Sequence, residues 1–188
     1  MDTLYYTVHN LESTKIPVVL LHGFLESSTM WKHVQFPKDY PRIQIDLPGH
    51  GKSTHPNLLC DTIGEMAKLV RTVLDELKVD QFHLIGHSMG GYIALELKKT
   101  NPRAEKVLQL NSNFWADSKQ KVVERMRVAE IVQTSKSHFI YEVIPNLFLE
   151  PQQHDSEVKE LIKEALKISP EAIAKFSMAM SKRENFTE

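Results

Sequence analysis

The sequence predicts an α/β fold: a mostly parallel sheet flanked by helices, followed by an all-helical cap. Three observations carry this prediction. Short segments rich in Val, Ile and Leu at 18–21, 42–47, 82–85 and 107–110 end in turn-forming residues, as buried strands do. Stretches of helical periodicity separate the later segments, which is the alternation of a parallel sheet with right-handed crossovers. All 7 glycines, at positions 23, 49, 51, 64, 86, 90 and 91, lie in the first half of the 188 residues. Glycine gathers where the backbone needs positive φ or a close approach, so the chemistry is expected in that half and plain helix in the other.

The elements follow in order. Residues 4–8 alternate weakly and fit an edge strand. The apolar run 18–21 stops at His22-Gly23-Phe24, and Ser27 or Ser28 then caps a short helix reaching Trp31. A strand over 42–47 is stopped by Pro48-Gly49-His50-Gly51. Thr62 and Glu65 form a capping box for a helix to about Leu77, with Ile63, Met66, Ala67, Val70, Val73 and Leu74 on one face. The strand at 82–85 runs straight into Gly86-His87-Ser88-Met89-Gly90-Gly91, a helix over 92–99 ends at Asn101-Pro102, and 107–110 is another strand. Beyond it Ser118 caps a helix, a second short helix ends at Pro145, Ser156 caps a third, and Ser169-Pro170 opens a fourth through Met180. Residues 1–116 thus read as the core and 117–188 as the cap.

Composition narrows the function. With 23 Lys and Arg against 24 Asp and Glu, the net charge is −1, and no basic run marks a nucleic-acid or membrane partner. The longest aliphatic run, 18–21, is far short of the roughly 20 residues of a membrane span. The first residues show no secretory signal and the single cysteine, Cys60, cannot form an intrachain disulfide, so a cytoplasmic location is expected.

Gly86-His87-Ser88-Met89-Gly90 fits G-x-S-x-G, the sharp strand-to-helix turn that lifts a serine hydroxyl above the sheet. The pattern alone is weak, but here a strand enters it and a helix leaves it. Gly86 and Gly90 let the turn approach its neighbours without a Cβ clash. His22-Gly23-Phe24 follows another strand, so the Phe24 and Met89 N–H groups could together form an oxyanion hole. His22 itself reads as a structural histidine, Asp46 as a holder of its own loop, and His87 as a wall residue at best, pointing away from the serine.

Three ordered segments, Leu20-Leu-His-Gly-Phe24, Asp46-Leu-Pro-Gly-His-Gly-Lys-Ser53 and Gly86-His-Ser-Met-Gly-Gly91, resemble the α/β-hydrolase family. The likeness runs from about residue 15 onward and is nearest to small bacterial ester hydrolases with a helical cap. It implies Ser88 as nucleophile, Phe24 and Met89 as oxyanion donors, and a small-molecule acyl substrate entering between sheet and cap. No metal and no cofactor are implied.

The family's triad runs Ser, then acid, then His, on loops after further strands. No such strands follow 107–110, and at about 30 residues per strand-helix unit roughly 60 residues are expected to be absent, through truncation or proteolysis. A serine without a base is a poor nucleophile. The weak substitutes within the chain are Asp117, His138 and His154. Asp117 reads more simply as the start of a cap helix and the two histidines as exposed. Arg125 and Arg127 read as a solvated face with a minor prospect of holding an acidic substrate, and Cys60 carries no chemistry.

The leading expectation is a serine hydrolase of a carboxylic ester or related acyl substrate. The rivals are a carbon–carbon bond hydrolase or lyase on the same site, and a non-catalytic binding or interaction protein that lost its triad. An uncovered strand at 107–110 would also present an open edge, so an exchanged or edge-paired homodimer is expected.

Overall fold

Val18, Val19, Leu20 and Leu21 are all buried, as a strand covered on both faces requires, and the sheet is built around them. The computed structural model describes residues 3–187. Its strands are β1 (Tyr6–His9), β2 (Val18–Leu21), β3 (Arg42–Ile45), β4 (Phe82–His87) and β5 (Ala104–Leu110), in the order β1-β3-β2-β4-β5. β1 is antiparallel to β3 and the other neighbours are parallel. This is an α/β fold with a mostly parallel sheet, as the alternation of elements predicts.

α1 (Ile63–Glu76) packs on α2 (Met89–Thr100), and α2 lies against β4, β5 and β2 of the sheet. α1 buries Ile63, Met66, Ala67, Val70, Val73 and Leu74, the face its periodicity marks. Its first turn is closed by the Thr62 hydroxyl, which accepts from Glu65 N at 3.1 Å, while the Glu65 carboxylate accepts from Asp61 N at 2.8 Å. Val19, Leu21, Ile43, Ile45 and Leu84 join this main core. Val18 and Leu20 belong to a smaller cluster with Trp31, flanked by half-buried Ile85 and Leu110.

After β5 every regular element among the described residues is helical: α3 (Lys119–Val143), α4 (Asp155–Ala165) and α5 (Pro170–Ser181), with 3-10 turns between them. Ser118 and Ser169 cap α3 and α5 as their positions suggest. Several boundaries differ from the sequence reading: β5 begins three residues earlier, at Ala104, and β3 ends at Ile45 rather than at 47. α3 holds the two helical segments expected there, which meet at a kink at Ser135 (φ −136°, ψ 37°). α4 starts at Asp155, directly continuing the 3-10 turn Pro151–His154, so its N-terminus needs no serine cap, and Ser156 instead bonds the Glu157 carboxylate at 2.7 Å. The helices meet the sheet's loops where the Phe176 ring of α5 stacks on His50 at 5.2 Å. That contact needs a glycine beside it, because a Cβ on Gly49 (φ +71°) would lie 2.6 Å from Phe176 Cε2.

Candidate active site

β4 delivers Ser88 into a backbone conformation with φ 48° and ψ −115°, unusual for any residue but glycine. Such conformations cost on the order of 1–3 kcal/mol and persist only where the surroundings over-determine them. Here the surroundings are explicit. Ser88 N donates to the Leu110 carbonyl at 3.0 Å, and the Ser112 hydroxyl donates to the Ser88 carbonyl at 2.8 Å, fastening the turn to the end of β5. A Cβ at Gly86 would press on the Gly90 backbone, and one at Gly90 on the carbonyl of Leu21. Met89 opens α2, where first-turn N–H groups have no intrahelical acceptor, and its side chain is wholly buried.

Two buried imidazoles shape the loop after β2. His22 Nδ1 donates to the Gly23 carbonyl at 2.8 Å and its Nε2 accepts from Leu47 N at 2.8 Å. His50 Nδ1 donates to the Pro48 carbonyl at 2.7 Å and its Nε2 accepts from Leu25 N at 3.2 Å. Both therefore sit as neutral, Nδ1-protonated rings that tie the loop after β2 to the loop after β3. Burial pushes His22 down to about 4 and His50 down to about 3. Asp46, also buried, accepts from Ser28 N and Lys52 N, each at 2.8 Å. Leu25 has φ 66°, and among the described residues the Phe24 N–H donates no hydrogen bond.

Ser88 and Phe24 line one cavity of about 800 Å³ between the sheet's loops and the helices. Its apolar wall comes largely from Val128, Phe139, Val143, Phe148, Leu161 and Met180. Of the three weak substitutes, His154 lines this cavity, with its ring 5.9 Å from that of Phe148. His138 does not line it; it is exposed on α3, 3.7 Å from Glu142. Asp117 does not line it either; buried, it accepts from Arg183 Nη1 at 2.6 Å and Arg125 Nε at 3.2 Å. Arg125 lines the cavity, whereas Arg127 is exposed. Cys60 is buried and its thiol is pushed up to about 12, chiefly by burial, so it is inert.

Glu26 and His87 are brought to the same cavity, a pairing that sequence reasoning missed. His87 is a wall residue of this cavity. Its Nδ1 lies 2.9 Å from the Glu26 carboxylate, which also accepts from Gly23 N at 2.5 Å. Burial alone would lower the His87 pKa, but the hydrogen bond and charge of Glu26 outweigh it and the net shift is upward. The only available signal was an acidic residue two positions after Phe24 in an otherwise uncharged loop.

Comparisons with known proteins bear on this geometry. A family model described as the alpha/beta hydrolase fold matches residues 16–124. "Probable lysophospholipase BODYGUARD 1" of Arabidopsis thaliana is 39% identical over 101 residues, covering 50% of this chain and 22% of that protein. "2-succinyl-6-hydroxy-2,4-cyclohexadiene-1-carboxylate synthase" of Enterobacter sp. (strain 638) is 40% identical over 80 residues, covering 42% of this chain and 30% of that protein. The solved thermophilic esterase from Thermogutta terrifontis superposes with a TM-score of 0.82 at 26% identity, covering 98% of this chain and 69% of that one. The matches thus span between 20% and 45% of the length of these curated relatives.

Proposed function

The chain belongs to the alpha/beta hydrolase family, and on that premise we propose that it carries the nucleophile of a serine hydrolase acting on carboxylic esters or related acyl compounds. Ser88 Oγ attacks the acyl carbon, the alcohol leaves as the carbonyl re-forms, and water then releases the acyl group from the serine. The observation that carries this reading is Ser88 held at φ 48° on a strand-to-helix turn that opens into the cavity. The N–H groups of Phe24 and Met89 hold the oxyanion, where fixed amide dipoles stabilise charge without reorganising. Supporting them are the Phe24 N–H, which donates no hydrogen bond among the described residues, and the position of Met89 at the start of α2.

The apolar wall sets the substrate class: an ester whose acyl or alcohol part is largely hydrocarbon, bound against Val128, Phe139 and Phe148. Attack requires a base for the Oγ proton and a carboxylate to orient that base. His154 is the one histidine after Ser88 that lines the cavity among the described residues, which makes it the internal candidate for the base.

A fluorophosphonate probe tests the assignment directly, with intact-mass and peptide mapping before and after labelling. A single adduct on Ser88, and loss of p-nitrophenyl acetate turnover in Ser88→Ala, are expected. Turnover unchanged in Ser88→Ala would falsify the reading. A second reading, carbon–carbon bond chemistry at the same serine, is favoured by the presence of a synthase among the relatives. Labelling of Ser88 without any turnover of p-nitrophenyl esters selects it.

A further inference from the structure

The Glu26 carboxylate reaches both strand-end segments of the candidate active site. One contact is to Gly23 N, at 2.5 Å, in the residue just before Phe24. The other is to His87 Nδ1, at 2.9 Å, in the residue just before Ser88 and two before Met89. The residues it joins are 61 apart in sequence from Glu26 to His87, and no backbone–backbone hydrogen bond among the described residues links 23–26 to 87–89. The same oxygen, Oε2, makes both contacts, so the two arms converge on one point. Gly23 is required there, since a Cβ would lie 2.6 Å from Glu26 Oε2 and 2.9 Å from His87 Nδ1.

Glu26 is only 8% exposed. A carboxylate that deep is costly unless charge-assisted hydrogen bonds compensate it, and a donor from each arm does so. Its backbone cannot substitute for this clamp. Glu26 N bonds back to the Gly23 carbonyl at 3.4 Å, which closes the turn on itself but does not reach β4.

We propose that Glu26 and His87 are positioning residues of the oxyanion hole: their contact holds Gly23 at its N–H, one peptide before the Phe24 N–H, against the turn that carries Ser88 and Met89, so that the two N–H donors converge on one oxygen. The proposal rests on the reading of Ser88, Phe24 and Met89 given above. It separates the roles of the two histidines flanking the motif loops: His22 ties the loop to β3, and His87 ties it to the nucleophile turn. An oxyanion donor displaced by a fraction of an ångström loses its effect on the transition state while substrate binding persists. The signature is therefore a fall in kcat with KM nearly constant.

The experiment measures kcat and KM for p-nitrophenyl acetate, and the rate of Ser88 phosphonylation by a fluorophosphonate. The proteins are the parent chain, Glu26→Ala, His87→Ala, the double variant and His87→Asn. Loss of the clamp is expected to lower kcat and the phosphonylation rate by about 10–100-fold, below the loss for deleting a donor outright. KM should change by less than about twofold, and the double variant should cost no more than either single one, because one contact is being removed. His87→Asn places an amide donor near the Nδ1 position and should recover the larger part of the loss. Additive single losses, or losses in KM alone, overturn the proposal. So does full activity in Glu26→Ala. Where Glu26→Ala does not fold, His87→Ala and His87→Asn decide the matter through the same rates. Failure of the parent chain to label or turn over, or full activity in Ser88→Ala, overturns the reading of the serine itself; loss in Ser88→Ala with no loss in Glu26→Ala overturns only the clamp.

Discussion

His22 and His50 are fully buried and each uses Nε2 as an acceptor for a backbone N–H, a role only the neutral ring can fill. This has a consequence for acid stability. As pH falls through 6.5 the unfolded chain takes up a proton at each ring, while the folded chain resists until about 4 for His22 and about 3 for His50. In that window the unfolded state binds more protons, so folding stability falls as the solution is acidified. The loss is on the order of a few kcal/mol by pH 4. His87 runs the other way: its raised pKa adds stability that is full below 6.5 and fades as pH rises through the shifted value. Urea midpoints measured at pH 7, 5.5 and 4.5 should therefore decline steadily, and a midpoint that stays flat across this range would contradict the neutral assignments.

At the level of elements, the glycines divide into those that hold the architecture and one that does not. Gly90 sits where α2 crosses β2, and an added Cβ would meet the His22 carbonyl oxygen at 2.6 Å as well as the Leu21 carbonyl. Neither can give way without moving the strand, so Gly90→Ala should cost about 3 kcal/mol. Gly64, in the first turn of α1, has its nearest neighbour at 3.7 Å, and Gly64→Ala should gain about 0.5–1 kcal/mol through lower backbone entropy in the unfolded chain. Chemical denaturation of the two variants side by side reads both signs.

The joint between β5 and the helices rests on Asp117. It faces Arg125 of α3 and Arg183 beyond α5, and Arg183, itself only 9% exposed, also donates to Asn113 Oδ1 at 3.2 Å and lies 4.1 Å from the Tyr92 ring centroid. Removing the carboxylate leaves a buried guanidinium without its counter-charge. Asp117→Ala should cost about 3–5 kcal/mol, read as a drop in the unfolding midpoint. The same geometry explains why Asp117 is not available to orient a catalytic histidine: its two oxygens are already taken by arginines.

For the whole molecule, the sheet ends at β5, which has no strand on its outer side among the described residues. Leu108, in register with Ile85, is 52% exposed. An unpaired strand edge beside exposed apolar side chains templates pairing with its like. Light scattering across a concentration series should show self-association, weakened in Leu108→Lys; a single-chain mass at every concentration rules the edge out as an interface.

Local sequence alone carries the fold class, the places of the strands though not all of their ends, the capped starts of α1, α3 and α5, and the serine at the turn. These are local properties: runs of apolar residues, a serine or threonine before a helix, and glycines where a Cβ has no room. It misplaced the start of α4 because a preceding 3-10 turn, not a cap, sets that boundary. Only the tertiary structure decided which polar side chains meet. His154, in the 3-10 turn before α4, lines the cavity, and His138, in the segment of α3 after the kink at Ser135, does not. Glu26 finds His87 because the parallel pairing of β2 with β4 places Leu21 beside Gly86. That register brings together the loop after one strand and the turn after the other. Hydrogen bonds between residues 61 apart leave no periodic mark in a sequence, so the partner of Glu26 is fixed by strand register and not by spacing.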